Sequence, residues 1–228
     1  MCGRAKLETD VSEIRIAFRI PPEYPTPNFA PSWNVAPTDN LPIVRYDPKT
    51  RSRTLDLMRW GLVPYWAKDI KIGFSTINAM AETVDAKPVF REAFARRRCI
   101  VPVDNFHEWK KLGPKEKQPY AIALADRSLM ALAGLWETWK SRANNETIRS
   151  FTIVTTTANA LCVDLHNRMP VILAPDTWST WLGENPAEPD QLKSMLVPYT
   201  GAMVAWPVSQ RVGNVKNNDP SLIEPISG

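Results

Sequence analysis

Cys99-Ile100-Val101-Pro102-Val103-Asp104-Asn105-Phe106-His107-Glu108-Trp109-Lys110 decides the fold. An apolar, β-branched run passes into alternating aromatic and polar residues, a pattern of extended chain rather than helix. Tyr120 to Leu124, Leu129 to Trp136 and Phe151 to Thr156 continue the β-rich stretch, with one hairpin-type connection through Lys111-Leu112-Gly113-Pro114-Lys115. Upstream, Leu41 to Tyr46 and Thr54 to Trp60 read as strands around the polar turn Asp47-Pro48-Lys49-Thr50. Further out, Val11, Ile14 and Phe18 at helical spacing predict a short amphipathic helix over Thr9 to Arg19, followed by a Pro-rich loop from Pro21 to Pro37. Pro88 fits the first turn of a helix running to about Arg97. Downstream, Asn159 to Leu165 and Pro175 to Leu182 read as helices and Ala202 to Val208 as a late strand, before a polar tail from about residue 218. The expected architecture is α+β: one domain over residues 1–228, a mostly antiparallel, twisted, barrel-like sheet with peripheral helices.

Composition agrees with one domain and excludes several classes of protein. A chain of 228 residues that is 44% hydrophobic can bury one sizeable core. Its 28 basic and 24 acidic residues give +4, too mild to identify a nucleic-acid partner by charge alone. Cys2, Cys99 and Cys162 form no CxxC pair, so neither a metal site nor a disulfide framework is expected. The N-terminus lacks the apolar core of a signal peptide, and no apolar run approaches the roughly 20 residues that span a bilayer; a cytoplasmic protein with no membrane association is expected.

The chain begins Met1-Cys2-Gly3-Arg4. Removing one methionine would leave a cysteine whose α-amine and thiol sit on adjacent carbons. Such a 1,2-aminothiol condenses with an aldehyde to an imine, and its sulfur then closes a five-membered thiazolidine ring that no internal cysteine can form. Unperturbed, the amine titrates at about 7.7 to 8.0 and the thiol at about 8.5, so both are partly available near neutral pH. The bland alternative is an incidental cysteine in a frayed terminus.

Six further clusters are dense in polar, Trp and Pro residues: Asn34-Val35-Ala36-Pro37, Arg59 to Pro64, Ile77 to Thr83, Phe106-His107-Glu108-Trp109, His166-Asn167-Arg168-Met169-Pro170, and Val208 to Asn217. In this order, and together with Cys2-Gly3-Arg4, they resemble the SRAP family, the SOS-response-associated peptidases whose members crosslink to abasic sites in single-stranded DNA. The resemblance runs from Met1 to about Asn218. It implies removal of Met1, a catalytic Cys2 that forms a thiazolidine with the ring-opened deoxyribose, and supporting roles for Asn78, Glu108 and His166. No metal or organic cofactor is implied.

Each implied role has a chemical basis and a structural competitor. Asn78 offers both donor and acceptor for the Cys2 amine or a substrate oxygen, but asparagines also commonly cap turns. Glu108, between Phe106 and Trp109, would have its pKa raised by desolvation toward the range of a general acid; the competing reading is an exposed glutamate paired with Lys110 or Lys111. His166 could open the sugar hemiacetal, or could simply be a packing histidine. Strand alternation sends His107 to the face opposite Glu108, which makes it structural. DNA contacts are expected from Arg4 and Arg168 on phosphates, from Pro37, Ser209, Asn214 and Lys216, and from Trp66 stacking on a base; solvated basic faces and core packing compete. The run Arg96-Arg97-Arg98 ends a predicted helix and is read as a dipole partner, not a DNA patch.

Two positions depart from the family pattern. Met80 stands where an arginine is common, which removes a phosphate contact, and Tyr65-Trp66 stands where two tryptophans occur. Stopping at the imine would allow β-elimination and strand cleavage, as in an abasic-site lyase. The alternatives are a cysteine peptidase that releases Met1 through Cys2 and a noncovalent single-strand binding module. A monomer is expected.

Overall fold

The Cys99–Lys110 stretch forms two strands joined at Asp104, one belonging to each of the two sheets of the computed structural model, which describes residues 2–226. The strands are β1 (Ala5–Leu7), β2 (Ser32–Val35), β3 (Asn40–Asp47), β4 (Ser52–Trp60), β5 (Asn78–Met80), β6 (Arg98–Val103), β7 (Asn105–Lys111), β8 (Lys117–Leu124), β9 (Met130–Lys140), β10 (Thr147–Thr157), β11 (Arg168–Pro170) and β12 (Met203–Pro207). One sheet runs β10-β4-β3-β6-β9, and β9 pairs back with β10, which closes a five-stranded barrel. Every pairing around it is antiparallel except β10 with β4. The second sheet, ordered β12-β8-β7-β1-β2, is antiparallel throughout.

Closure leaves the barrel strands no edge, and the side chains they turn inward form the core. Trp60 on β4 stacks on Phe151 of β10 at 6.1 Å between ring centroids, both fully buried. Helix α1 (Val11–Ala17) is capped by Asp10, whose carboxylate accepts from the Ser12 and Glu13 N–H groups, and it buries Ile14. The side chain of Phe18, next after it, meets Trp178 at 4.7 Å. Full burial of side chains of this size contributes about 1.5–3 kcal/mol each.

Strand β10 positions the candidate site. Its first half belongs to the barrel wall, while Ile153 to Thr157 carry the two short strands β5 and β11. Parallel pairing sets Asn78 opposite Ile153, and antiparallel pairing sets Arg168 opposite Thr157. Two distant motifs thus arrive at one end of the same strand. Beside them, Gly61 (φ +112°) and Gly73 pack backbone to backbone: a Cβ on Gly61 would lie 2.5 Å from the Gly73 carbonyl oxygen. This contact holds the loop after β4 against the 3-10 turn Ile70–Ser75.

Several sequence expectations need correction. Asn159 to Leu165 is a chain of turns, not a regular helix: the Asn159 side chain accepts from the Cys162 N–H at 2.9 Å as an N-cap would, and Val163 and His166 donate to the Asn159 and Cys162 carbonyls, but the Leu165 N–H also turns to the Cys162 carbonyl and the pairing goes no further. Pro88 precedes rather than opens its helix; α2 spans Arg91–Arg96 after a turn in which the Lys87 carbonyl accepts from Phe90 and Arg91. The Pro-rich loop from Pro21 ends early, since Ser32–Val35 is strand β2. Pro175–Thr177 is 3-10 and leads into α3 (Trp178–Leu182). The last helix, α4 (Pro189–Ser194), was not anticipated. The segment after 218 packs back on the second sheet: Leu222 is buried and the Trp206 indole donates to the Ile223 carbonyl at 2.8 Å. Two of the three consecutive arginines are spent structurally, Arg97 on Glu137 and Arg98 on the Phe94, Ala95 and Trp181 carbonyls, while Arg96 stands exposed at the end of α2.

Candidate functional site around the N-terminal cysteine

Strand β1 lies antiparallel to β7, with Ala5 opposite Phe106, and the His107 N–H donates to the Arg4 carbonyl at 3.0 Å. This pairing carries the residues before Ala5 along β7 toward Glu108. Cys2 is completely buried, its Sγ pointing at the Arg4 carbonyl across a long 3.9 Å. From the other sheet, the Asn78 Nδ2 donates to the Cys2 carbonyl at 2.8 Å. The Asn78 Oδ1 is buried and meets no hydrogen-bond partner among the described residues. One amide thus fixes the cysteine backbone and leaves an acceptor beside it.

Glu108 is 3% exposed on the face of β7 that also carries Phe106. Burial raises its pKa above the usual carboxylate range. Burial likewise pushes the Cys2 thiol up, and the neighbouring Glu108 carboxylate adds to the shift. Cys162 is driven up to about 12 by the same two causes, in the same order. His166 also lies within electrostatic range of Glu108, whose charged form it favours. The His166 Nδ1 accepts from the Arg168 N–H at 3.0 Å, so neutral imidazole carries its proton on Nε2. Cys2, Asn78, Glu108 and His166, which sequence singled out, therefore gather in one place, and Cys162 joins them. Nothing in the sequence around Cys162 signals this proximity.

His107 lies on the opposite face of β7, fully buried, with neither ring nitrogen partnered among the described residues. Burial, and secondarily Arg4, lower its pKa to about 3, so it stays neutral.

The expected DNA contacts fall into three groups. Arg4 is half-buried near Asp39, in the loop that includes Pro37, and its Nη2 lies 3.5 Å from the Gly213 carbonyl. Asn34 ties the next segment down: its Nδ2 donates to the Asn214 and Asn217 carbonyls at 3.0 and 2.9 Å. Ser209 caps the short 3-10 turn Gln210–Gly213, and Asn214 and Lys216 stand exposed after it. Trp66 is 46% exposed on the loop after β4, which is bonded to the approach to Asn78 through the Thr76 hydroxyl and the Leu62 carbonyl at 2.6 Å. Arg168 forms a two-pronged ion pair with Glu82, at 2.6 and 3.0 Å, and donates to the Thr155 carbonyl at 2.6 Å. Glu82 was part of the Ile77–Thr83 cluster, but its role as counter-ion was not legible there.

Among the described residues, no group of three or more His, Cys, Asp or Glu side chains is arranged to hold a metal ion, and no helix is long and apolar enough to cross a membrane.

Fold and site together define an α+β protein with a mixed five-stranded barrel whose clustered polar groups converge on a cysteine second in the chain. The family model for SOS response associated peptidase (SRAP) matches residues 1–215, and the chain belongs to that family. Its relatives include abasic site processing protein YoqW of Bacillus subtilis, 44% identical across 98% of this chain and 99% of the relative. Abasic site processing protein YoaM of the same organism is 42% identical across 98% of both chains. A crystal structure of a protein from Bacteroides thetaiotaomicron shares the fold, with a TM-score of 0.87 over 99% of this chain and all of the other at 24% identity.

Proposed function

We propose that this chain processes abasic sites in single-stranded DNA and captures them covalently through Cys2 once Met1 is removed. The observation that carries the proposal is the setting of Cys2, with Asn78 on its carbonyl at 2.8 Å and a buried Glu108 beside its thiol. Similarity to relatives named as abasic site processing proteins supports the choice of lesion.

The free lesion is a cyclic hemiacetal. O4′ takes a proton from the His166 Nε2 as the C1′–O4′ bond breaks, and the C1′ hydroxyl returns its own proton to that nitrogen, which leaves the C1′ aldehyde and a neutral imidazole. The Cys2 amine attacks C1′ and gives a carbinolamine. Glu108, kept protonated to higher pH by burial, passes its proton to the departing hydroxyl and takes back the N–H proton; one water leaves and a neutral imine remains. The Sγ then adds to C1′ and the thiol proton passes to nitrogen, which closes the thiazolidine. Because ring closure is intramolecular, orientation supplies most of its rate, and a thiol held protonated by burial is suited to act last. The ring withdraws the imine from β-elimination, so capture shields the strand from cleavage.

Met1 lies outside the described residues, and Cys2 has no exposed surface in the chain that carries it. Trimming has one chemical consequence: it turns the Cys2 amide into an amine, without which no imine can form. A second reading, peptidase chemistry in which Cys2 releases Met1 itself, draws support from the family description and from the same Glu108 and His166. Under it, Glu108→Gln keeps Met1. The protein acts in the cytoplasm as a monomer, with Arg4, Arg168 and Lys216 serving DNA phosphates.

Incubating processed protein with an abasic single-stranded oligonucleotide, then denaturing, tests the proposal. A covalent adduct is expected for the native sequence and none for Cys2→Ala. An adduct with Cys2→Ala, or purely noncovalent retention by the native sequence, would overturn it.

A further inference from the structure

A pocket of about 390 Å³ opens on the second sheet and shares no residue with the cysteine site. Lys6 of β1 and its cross-strand neighbour Asn105 of β7 line it, together with Trp206 of β12, Arg127, and Asp10 and Glu13 at the start of α1. Glu8 and Asp104 also reach it, so four carboxylates meet two cations there. Several of these charges are already spent. Lys6 pairs with Glu8 at 2.6 Å, and Asp104 accepts from the Glu8 and Thr9 N–H groups and the Thr9 hydroxyl. Others are not: Asp10 caps α1 through Oδ1 alone, and the Glu13 carboxylate has no ion-pair partner among the described residues. Asn105 is 3% exposed, and its buried Oδ1 meets no donor among the described residues. Trp206 is pinned by its indole N–H on the Ile223 carbonyl, and the Arg127 guanidinium lies over its ring, 3.9 Å from the centroid. Arg127 is exposed and has no carboxylate partner among the described residues, so the aromatic ring is its one charge-stabilising contact.

We infer that this pocket binds a guanidinium group, which takes the place of Arg127 on Trp206 and donates to the Glu13 carboxylate and the Asn105 Oδ1. Three observations select that chemistry. The excess of carboxylates repels a phosphate, which separates the pocket from the DNA path. Among the described residues no three His, Cys, Asp or Glu side chains converge as metal ligands do, so the acceptors suit a cation with several separated donors rather than a single ion. A guanidinium carries five N–H donors in a planar fork, enough for a carboxylate and an amide oxygen together, and its flat face stacks on an aromatic ring. The wall already holds such a group in Arg127, an intramolecular stand-in for the ligand. The unfilled acceptor of Asn105 explains why an outside guanidinium would gain over the resident one: Arg127 stacks without a carboxylate or amide partner, whereas the ligand would have all three contacts. The guanidinium could belong to a free small molecule or to an arginine side chain of another polypeptide, and the two are separated by the probes below. The pocket thus gives the protein a second ligand, unrelated to the damaged strand.

Calorimetric titration of the full-length protein tests the inference with four probes: agmatine, the blocked tripeptide acetyl-Gly-Arg-Gly-amide, and their ammonium counterparts cadaverine and acetyl-Gly-Lys-Gly-amide. The native protein is expected to bind at least one guanidinium probe and to prefer it to its ammonium counterpart. Tighter binding of the tripeptide assigns the pocket to an arginine of a partner chain, and tighter binding of agmatine to a free small molecule. Glu13→Gln should weaken binding about tenfold, the loss of one hydrogen bond to a charged group, and Asn105→Ala should weaken it as well. Arg127→Ala should act in the opposite direction and tighten binding, because it removes both the resident competitor and a like charge. Glu13 is exposed and outside the cysteine site, so Glu13→Gln should crosslink abasic single-stranded DNA as the native protein does, which shows that its lost affinity is local and not a failure to fold. Equal binding of guanidinium and ammonium probes, no binding of either guanidinium probe at millimolar concentration, or weaker binding in Arg127→Ala would overturn the inference.

Discussion

Replacing Asn78 by alanine should separate orientation from chemistry. The substitution removes the 2.8 Å bond from Nδ2 to the Cys2 carbonyl and the unpartnered Oδ1 beside it, and it touches no titratable group. One neutral hydrogen bond contributes a net stabilisation of about 1 kcal/mol. In a domain of this size a loss of 1 kcal/mol lowers the melting temperature by only about 2–4 °C. The kinetic effect should be much larger, because misplacing a reacting group by about 1 Å costs on the order of a hundredfold in rate. Single-turnover crosslinking to abasic single-stranded DNA, followed on denaturing gels, should therefore slow between about ten- and a hundredfold while binding of a tetrahydrofuran oligonucleotide changes far less. Asn78→Asp should be at least as slow, since it swaps the donor for an acceptor and adds negative charge near Glu108. Crosslinking by Asn78→Ala at the native rate, with Met1 fully removed, would show that Cys2 does not depend on this amide and would refute the reasoning.

Three further outcomes follow from the same geometry. Glu108, its pKa raised by burial, binds its proton more tightly folded than unfolded, so it costs stability increasingly as pH rises through and above the ordinary carboxylate range near 4.3. Glu108→Gln should melt higher than the native protein at pH 7, with the gain shrinking toward pH 4, while its crosslinking slows and loses the alkaline decline that deprotonating a general acid produces; thermal melts and rate profiles across pH check both. His107 stays neutral when folded down to about pH 3, whereas the unfolded chain takes up a proton near 6.5, so stability falls as pH drops between those values. Urea melts at pH 7 and pH 5 should show His107→Gln losing less than the native protein. Met80→Arg should restore a phosphate contact and steepen the dependence of log affinity on log salt by about 0.7, read from titrations at several salt concentrations; an unchanged slope would remove Met80 from the strand's path.

What sequence disclosed, and what it concealed, follows from the length of each element. Strands β3, β4, β6 and β9 were legible because each carries five or more residues of alternation or a continuous apolar run. The early half of β10 was missed because Thr147 and Arg149 are exposed and break the apolar signal. Strands β1, β5 and β11 have three residues each, too few for periodicity, yet they deliver the N-terminus, Asn78 and Arg168. These residues were found from motif order and side-chain chemistry, and the fold explains how they meet, two short strands sharing the end of β10. The parallel pairing of β10 with β4 has no local signature, since direction is set by the route of the whole chain. The Arg168–Glu82 pair, 86 residues apart, and the approach of Cys162 to Glu108 are tertiary facts for the same reason.

The central claim is that the liberated amine and thiol of Cys2 together hold the damaged sugar. Peptide mass spectrometry of the purified adduct, after protease and nuclease digestion, tests it most directly. The account predicts an N-terminal peptide that begins at Cys2, carries the sugar remnant with loss of one water, and resists both thiol alkylation and borohydride reduction because the ring is closed. A remnant on any other residue, or on a peptide that still bears Met1, would contradict it.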